Sequence, residues 1–286
     1  MRILIIGKNS FIGKNFINYS CYNDIKEFDI HNNALEKINL TEVDVVLHLA
    51  AIVHQKKEIS EAAYFAVNAD LPVIVAKLAK SAGVKQFIFL SSTKVYGESN
   101  NEVFSESSEC FPSDNYGKSK LKAEIELQKL EDNNFSVSII RTPLVYGRGV
   151  KANMLSLVKL VDKFPVLPFK RILAKRSMTF VGNLSFLIDR LIDKACSGIF
   201  LIQDSETPSI EMLIRVIAKK LGKKVLLFYP GPFVLFMIKH LLPRYYTRLF
   251  ASATVNNQQT VDTLNLVLPF TLEQGLEEAV TYYKNS

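Results

Sequence analysis

Tyr116-Gly-Lys-Ser-Lys120 sets a phenol and an ammonium four residues apart, which on a helix is one face. A free phenol ionises near pH 10, and a neighbouring cation stabilises the phenolate. The pair therefore predicts a proton donor and acceptor suited to interconverting a hydroxyl and a ketone. Upstream, Ser91 and Ser92 end an apolar run at 86–90, where a serine hydroxyl can bind the same substrate oxygen. Alone, Tyr-x-x-x-Lys equally describes a surface tyrosine beside a solvated lysine. The combination with Ser-Ser at a strand end and a glycine loop at the N-terminus is specific.

That loop is Gly7-Lys8-Asn9-Ser10-Phe11-Ile12-Gly13, directly after the apolar run 2–6. Glycines let a backbone turn tightly and approach a pyrophosphate, which then sits at the positive end of the following helix. Gly7 and Gly13 fit; Ser10 stands where a further glycine is expected, and an incidental turn is the alternative reading. Asp29, 22 residues after Gly7, ends a second strand. A carboxylate there accepts both ribose hydroxyls of NAD and repels the 2′-phosphate of NADP, whereas Lys8 would attract that phosphate. Asp29 tilts the NAD(P)(H) reading toward NAD(H).

Short apolar runs alternate with helical patterns through the first 140 residues, the mark of a parallel sheet wrapped by helices. Strands are predicted at 2–6, 25–29, 43–49, 86–90 and 137–140, and helices at 11–19, 62–82 and 117–130. The expected fold is α/β, a Rossmann-type doubly wound parallel sheet with a smaller C-terminal substrate lobe. Residues 1–150 form the dinucleotide-binding part, with 178–202 returning to it, and 151–286 form mainly the lobe. In the lobe, strands are expected at 199–202 and 225–229 and a helix at 210–221. The candidate residues follow strand ends at 6, 49, 90 and 140, where such sheets bind ligands.

The 286 residues are 48% hydrophobic and 22% charged, which excludes a disordered or fibrous chain. Net charge is +7, in keeping with an anionic small molecule. The basic residues are scattered apart from Lys219, Lys220, Lys223 and Lys224 around Gly222, which read as a solvated helix end. No motif points to nucleic acid, and there is no Trp to stack on bases. Cys21, Cys110 and Cys196 are far apart and odd in number, so no disulfide framework forms and a reducing, cytoplasmic setting is expected. His31, His48, His54 and His240 lack metal-ligand spacing, so no metal is expected. Residues 225–238 are apolar and then basic. They are too short, and too broken by prolines, to span a bilayer, which needs about 20 residues. A strand, a turn and a buried helix is the first reading. A helix on a membrane surface is the second, weakened by charge on one flank only.

Nearly end to end, the chain resembles extended short-chain dehydrogenase/reductases of the NAD-dependent epimerase/dehydratase family. The resemblance rests on the glycine loop, His48-Leu49-Ala50-Ala51, Asn68 in FAVNADLPV, FIFLSSTKVYGE, Tyr116 with Lys120, RTPLVYGRG, Asn153 in KANML and Arg176 in KRSMTFVGN. It implies a catalytic set of Ser92, Tyr116 and Lys120. The cofactor would be held by Gly7, Lys8, Ser10, Phe11, Ile12, Gly13, Asp29, Leu49, Ala50, Ala51, Asn68, Tyr116 and Lys120. The UDP-sugar would be held by Ser92, Tyr96, Arg141, Asn153, Arg176 and His54. Arg141 is equally read as half of a buried ion pair, Tyr96 and Tyr146 equally as core, and His54 as packing or surface. A homodimer through helices 62–82 and 117–130 is also implied.

Within the family, AAIVHQ, VKQFIFLSSTKVYGE and RSMTFVGNLSFLI look most like enzymes of bacterial polysaccharide synthesis. Those reduce a UDP-2-acetamido-2,6-dideoxy-4-ketohexose to UDP-N-acetylfucosamine or UDP-N-acetylquinovosamine. A UDP-hexose or UDP-N-acetylhexosamine 4-epimerase with tightly bound NAD is the first alternative, and a non-catalytic dinucleotide-binding scaffold the second. Thr93-Lys94 stand where 4,6-dehydratases carry an Asp-Glu pair, which argues against elimination chemistry.

Overall fold

Six strands pair in parallel to make the central sheet: β1 (Arg2–Ile6), β2 (Asp24–Phe28), β3 (Val45–His48), β4 (Gln86–Ser92), β5 (Ser136–Thr142) and β6 (Gly198–Leu201). Their order is β6-β5-β4-β3-β1-β2. The computed structural model describes residues 1–53, 59–97, 102–232, 236, 240, 241 and 252–286. The helices are α1 (Phe11–Tyr19), α2 (Glu61–Ser81), α3 (Asn115–Gln128), α4 (Ala152–Lys163), α5 (Val181–Lys194), α6 (Ile210–Leu221), α7 (Gln258–Leu264) and α8 (Leu272–Lys284).

The strands are continuous apolar runs because both faces are covered. Ile3, Ile5, Val45, Leu47, Ile88 and Ile140 meet Phe16 of α1 and Leu184, Leu187, Ile188 and Leu191 of α5. Leu4, Ile6, Val46, Phe87, Phe89 and Ile139 meet Val75, Ala76 and Ala79 of α2 and Ala123 and Leu127 of α3. A separate core joins α4, α6 and α8 around Tyr146 and Phe180. Helix α2 is long and apolar enough to cross a membrane, but its inner face is spent on the sheet.

Most predicted elements appear with ends shifted by a residue or two. The predicted strand 25–29 ends at Phe28, so Asp29 lies just beyond it. The predicted helix 117–130 starts at Asn115, because Asp114 caps it by accepting the Gly117 amide at 2.7 Å, and Tyr116 falls in the first turn. The expected strand 225–229 contracts to Leu226–Leu227, paired with Val166–Leu167. Most of the segment from 233 to 251, with the helical part of the 225–238 reading, lies outside the described residues.

Candidate active site

Between β1 and β3 the strand order reverses, which opens a crevice at the carboxyl ends of the strands. Gly7 occupies that point with φ +119°, and a Cβ there would sit 2.9 Å from the Ala50 amide nitrogen. Leu49 and Ala50 both donate to the Ile6 carbonyl at 2.9 Å, which draws the two strand ends together. Ser10, in place of a glycine, is the N-cap of α1 and accepts the Gly13 amide at 3.1 Å. That leaves the first-turn amides of Phe11 and Ile12 without acceptors inside the helix. Lys8 is exposed. The Asp29 carboxylate accepts the amides of His31 and Asn32 and the Asn32 side chain, and these bonds hold it below the usual carboxylate range. A glycine at the tight approach, free amides at a helix start and an ionised carboxylate beyond β2 together fit a dinucleotide.

Along β4, alternate side chains take opposite directions. Ser91 is buried and donates to Glu124 on α3. Ser92 emerges at the strand end, accepts the Lys94 amide at 3.2 Å and is hydrogen-bonded to Tyr116. Burial pushes the Tyr116 phenol up to about 12, the bond to Ser92 pulls it down, and Asp114 pushes it up.

Lys120, one turn on, is 2% exposed; it donates to the Leu90 carbonyl at 2.8 Å and stands 4.4 Å above the Phe89 ring. Burial lowers its pKa to about 7. His48 is fully buried between the rings of Phe87 and Phe89, and burial, then the Lys120 charge, drives it down to about 3. The expectation that Lys120 depresses Tyr116 is thus corrected. The ammonium is turned to Leu90 and itself poorly solvated, and Ser92 is what favours the phenolate.

Lys120→Met is accordingly expected to stabilise the cofactor-free protein. Between about 7 and the ordinary lysine value near 10.4, the unfolded chain holds a proton that the folded chain does not, so stability rises with pH across that window. At pH 7 the wild type bears most of the burial cost. Methionine removes it while leaving the Leu90 carbonyl without its donor, for a net gain of about 2 kcal/mol. Thermal melts should show the gain at pH 7 and its disappearance near pH 10.

Three of the expected ligand-binding side chains point elsewhere. Asn68 is fully buried in a π-helical turn of α2 (66–70); it accepts the Ile52 amide at 2.8 Å and donates to the Ile52 carbonyl and to Ser119. Its amide fixes the chain after β3, so in this arrangement it braces the crevice wall. Arg141 is 3% exposed, forks onto Glu124 with its shortest contact at 2.6 Å, and donates to the Tyr96 hydroxyl at 3.0 Å. Tyr96 is buried and stacked on Phe104. Both side chains belong to a polar core beneath the site, because the Glu124 charge there requires a buried partner. Tyr146 is core as well, donating to Asp204 at 2.7 Å.

Asn153 is exposed in the first turn of α4, and Arg176 is half-buried between Pro208 and Ala253. His54 lies outside the described residues. Glu124 was not anticipated, although it stands four residues after Lys120 and eight after Tyr116, on their face of α3.

Residues 3–202 match the NAD dependent epimerase/dehydratase family. The chain belongs to this family. UDP-glucose 4-epimerase from Vibrio cholerae is 34% identical over 95% of this chain and 87% of its own length. An N-acetyl-alpha-D-glucosaminyl-diphospho-ditrans,octacis-undecaprenol 4-epimerase of Escherichia coli O157:H7 is 25% identical over 98% of this chain and 94% of its own. Among solved structures, UDP-glucuronic acid 4-epimerase from Bacillus cereus, in complex with NAD, shares the fold with a TM-score of 0.77. It is 21% identical, and the match covers 100% of this chain and 99% of that one.

Proposed function

We propose that this family member is a 4-epimerase of UDP-hexoses or UDP-N-acetylhexosamines that retains NAD through the catalytic cycle. The observation that carries the reading is the hydrogen-bonded Ser92–Tyr116 pair at the carboxyl end of β4, with Lys120 one turn away on the same helix. The full-length similarity to a UDP-glucose 4-epimerase favours this over the 4-ketoreductase suggested by the sequence motifs.

Bound NAD supplies reversible hydride acceptance at sugar C4. Tyr116 takes the proton from the C4 hydroxyl as the ketone forms and returns it when the ketone is reduced from its other face. Ser92 hydrogen-bonds the same oxygen and steadies the charge that develops on it. Lys120, one turn from Tyr116 on the same helix, would hold the nicotinamide ribose. Gly7, Ser10, Phe11, Ile12 and Gly13 receive the pyrophosphate and Asp29 the adenosine ribose. Arg176, whose planar fork suits phosphate, receives the UDP diphosphate, with Asn153 beside it.

A second copy of the chain would pack on α2 and α3, where Ile74, Leu78 and Ile125 are 44%, 41% and 48% exposed. A cytoplasmic setting is in keeping with Cys21, Cys110 and Cys196 being free thiols.

Incubation with UDP-glucose or UDP-N-acetylglucosamine, followed by anion-exchange separation, should yield the C4 epimer without net accumulation of NADH. Stoichiometric oxidation of reduced cofactor by a UDP-2-acetamido-2,6-dideoxy-4-ketohexose, with no epimer formed, would replace this reading by the reductase. Ser92→Ala removes the bond that favours the phenolate. It should lower kcat about 100-fold and move the rising limb of the pH–rate profile to higher pH, since the Tyr116 pKa climbs. An unchanged profile would contradict the Ser92 role.

A further inference from the structure

We propose that the C-terminal lobe docks on an anionic lipid surface through a two-stranded ribbon whose apolar side faces outward. Val166–Leu167 and Leu226–Leu227 pair in parallel, with Val166 opposite Leu226. Leu167 and Leu227 point into the lobe core, at 3% and 6% exposure. Their neighbours along each strand therefore face out: Phe164 and Val166 on one side, Leu226 and Phe228 on the other, from 44% to 66% exposed. A ribbon with one side on a core ordinarily turns polar residues to water. Here the outer side is apolar, and exposed Tyr229, Phe236 and Leu241 follow Phe228 along the chain.

Charge identifies what meets it. Residues 163–188 and 212–261 contain thirteen Lys and Arg and no Asp or Glu, whereas the rest of the chain carries 22 basic against 28 acidic residues. Exposed Lys163, Lys170, Arg171, Lys223 and Lys224 border the ribbon. Two carboxylates beside them are engaged: Asp162 with Lys223 and Tyr283, and Glu211 with Arg215 and the Arg171 amide. Exposed aromatic and aliphatic side chains rimmed by cations match the boundary between acyl chains and anionic headgroups. A second copy docking by the same face would bring two strongly basic surfaces together, which disfavours self-association there.

Sedimentation of the full chain with vesicles tests the docking, without reference to turnover. Equimolar phosphatidylcholine and phosphatidylglycerol should retain the protein, whereas pure phosphatidylcholine, or about 0.5 M salt, should cut the bound fraction about tenfold. Leu226→Ser with Phe228→Ser, and separately Lys170→Glu with Lys224→Glu, should each reduce binding by a similar factor while the melting temperature holds. The charge-reversal pair lies wholly on the surface and keeps the test valid if the ribbon pair misfolds. Absence of wild-type binding, or retention by both variants, would overturn the proposal. So would self-association that the variants abolish without any vesicle binding, which would make the face a contact between copies.

Discussion

Replacing Tyr116 with Phe is expected to lower kcat about 1,000-fold, the order contributed by a positioned general acid and base, while NAD is still retained. The phenol is the group placed at the crevice to carry a proton: it sits in the first turn of α3, fixed by the Asp114 cap and hydrogen-bonded to Ser92. Phenylalanine keeps the ring volume and removes only the hydroxyl. Ser92 still has the Lys94 amide as a partner, so the fold should change in stability by no more than about 1 kcal/mol. Single-turnover measurements on purified variant and wild type, with bound cofactor counted after denaturation, separate lost chemistry from lost cofactor. A variant that turned over within about tenfold of wild type would remove Tyr116 from the proton-transfer role.

Where the sequence pattern carried both an element and its position, the structure agrees closely. β1, α1 and α6 fall at the predicted residues, because each is an apolar or amphipathic run closed by a turn or cap residue: Gly7, Ser20 and Gly222. α8 escaped because Gly275 interrupts its pattern, and a glycine inside a helix weakens that reading. The glycine is there for packing, since a Cβ would lie 2.6 Å from the Phe180 ring. In the site, residue type and strand-end position located Ser92, Tyr116 and Lys120, but they do not say which way a side chain turns. Ser91 and Ser92 are adjacent and chemically identical, yet the strand pleat sends one to Glu124 and the other to Tyr116. Asn68 and Arg141 likewise follow from burial, and burial depends on the pairing of β4 with β5 and the packing of α2 and α3. Glu124 belongs to no motif and is one of several charged residues along α3. Its spacing from Lys120 is visible in the sequence, but its partner Arg141 is 17 residues away and reaches it only once the helix lies on the sheet.

Arg141→Met is expected to destabilise the protein by about 4 kcal/mol, because it strands an ionised carboxylate in the interior. Glu124 is 1% exposed and Arg141 3%; the guanidinium approaches Glu124 at 2.6 Å and 3.1 Å, and the carboxylate also takes the Ser91 hydroxyl. The same guanidinium holds the Tyr96 hydroxyl, so β4, α3, β5 and the turn after β4 all depend on it. Urea unfolding should show a lower midpoint with an unchanged slope. At a temperature where the variant remains folded, KM for the UDP-sugar should stay within about twofold of wild type, since no ground-state contact is lost. A sugar-binding arginine would reverse that pattern, raising KM with little change in the midpoint. Adding Glu124→Leu to the variant should recover much of the stability, because removing both charges leaves nothing unpaired. kcat should still fall in the double variant, because Ser91 then loses its hydrogen bond to α3, one of the contacts that tie the end of β4, and with it Ser92, to the helix that carries Tyr116.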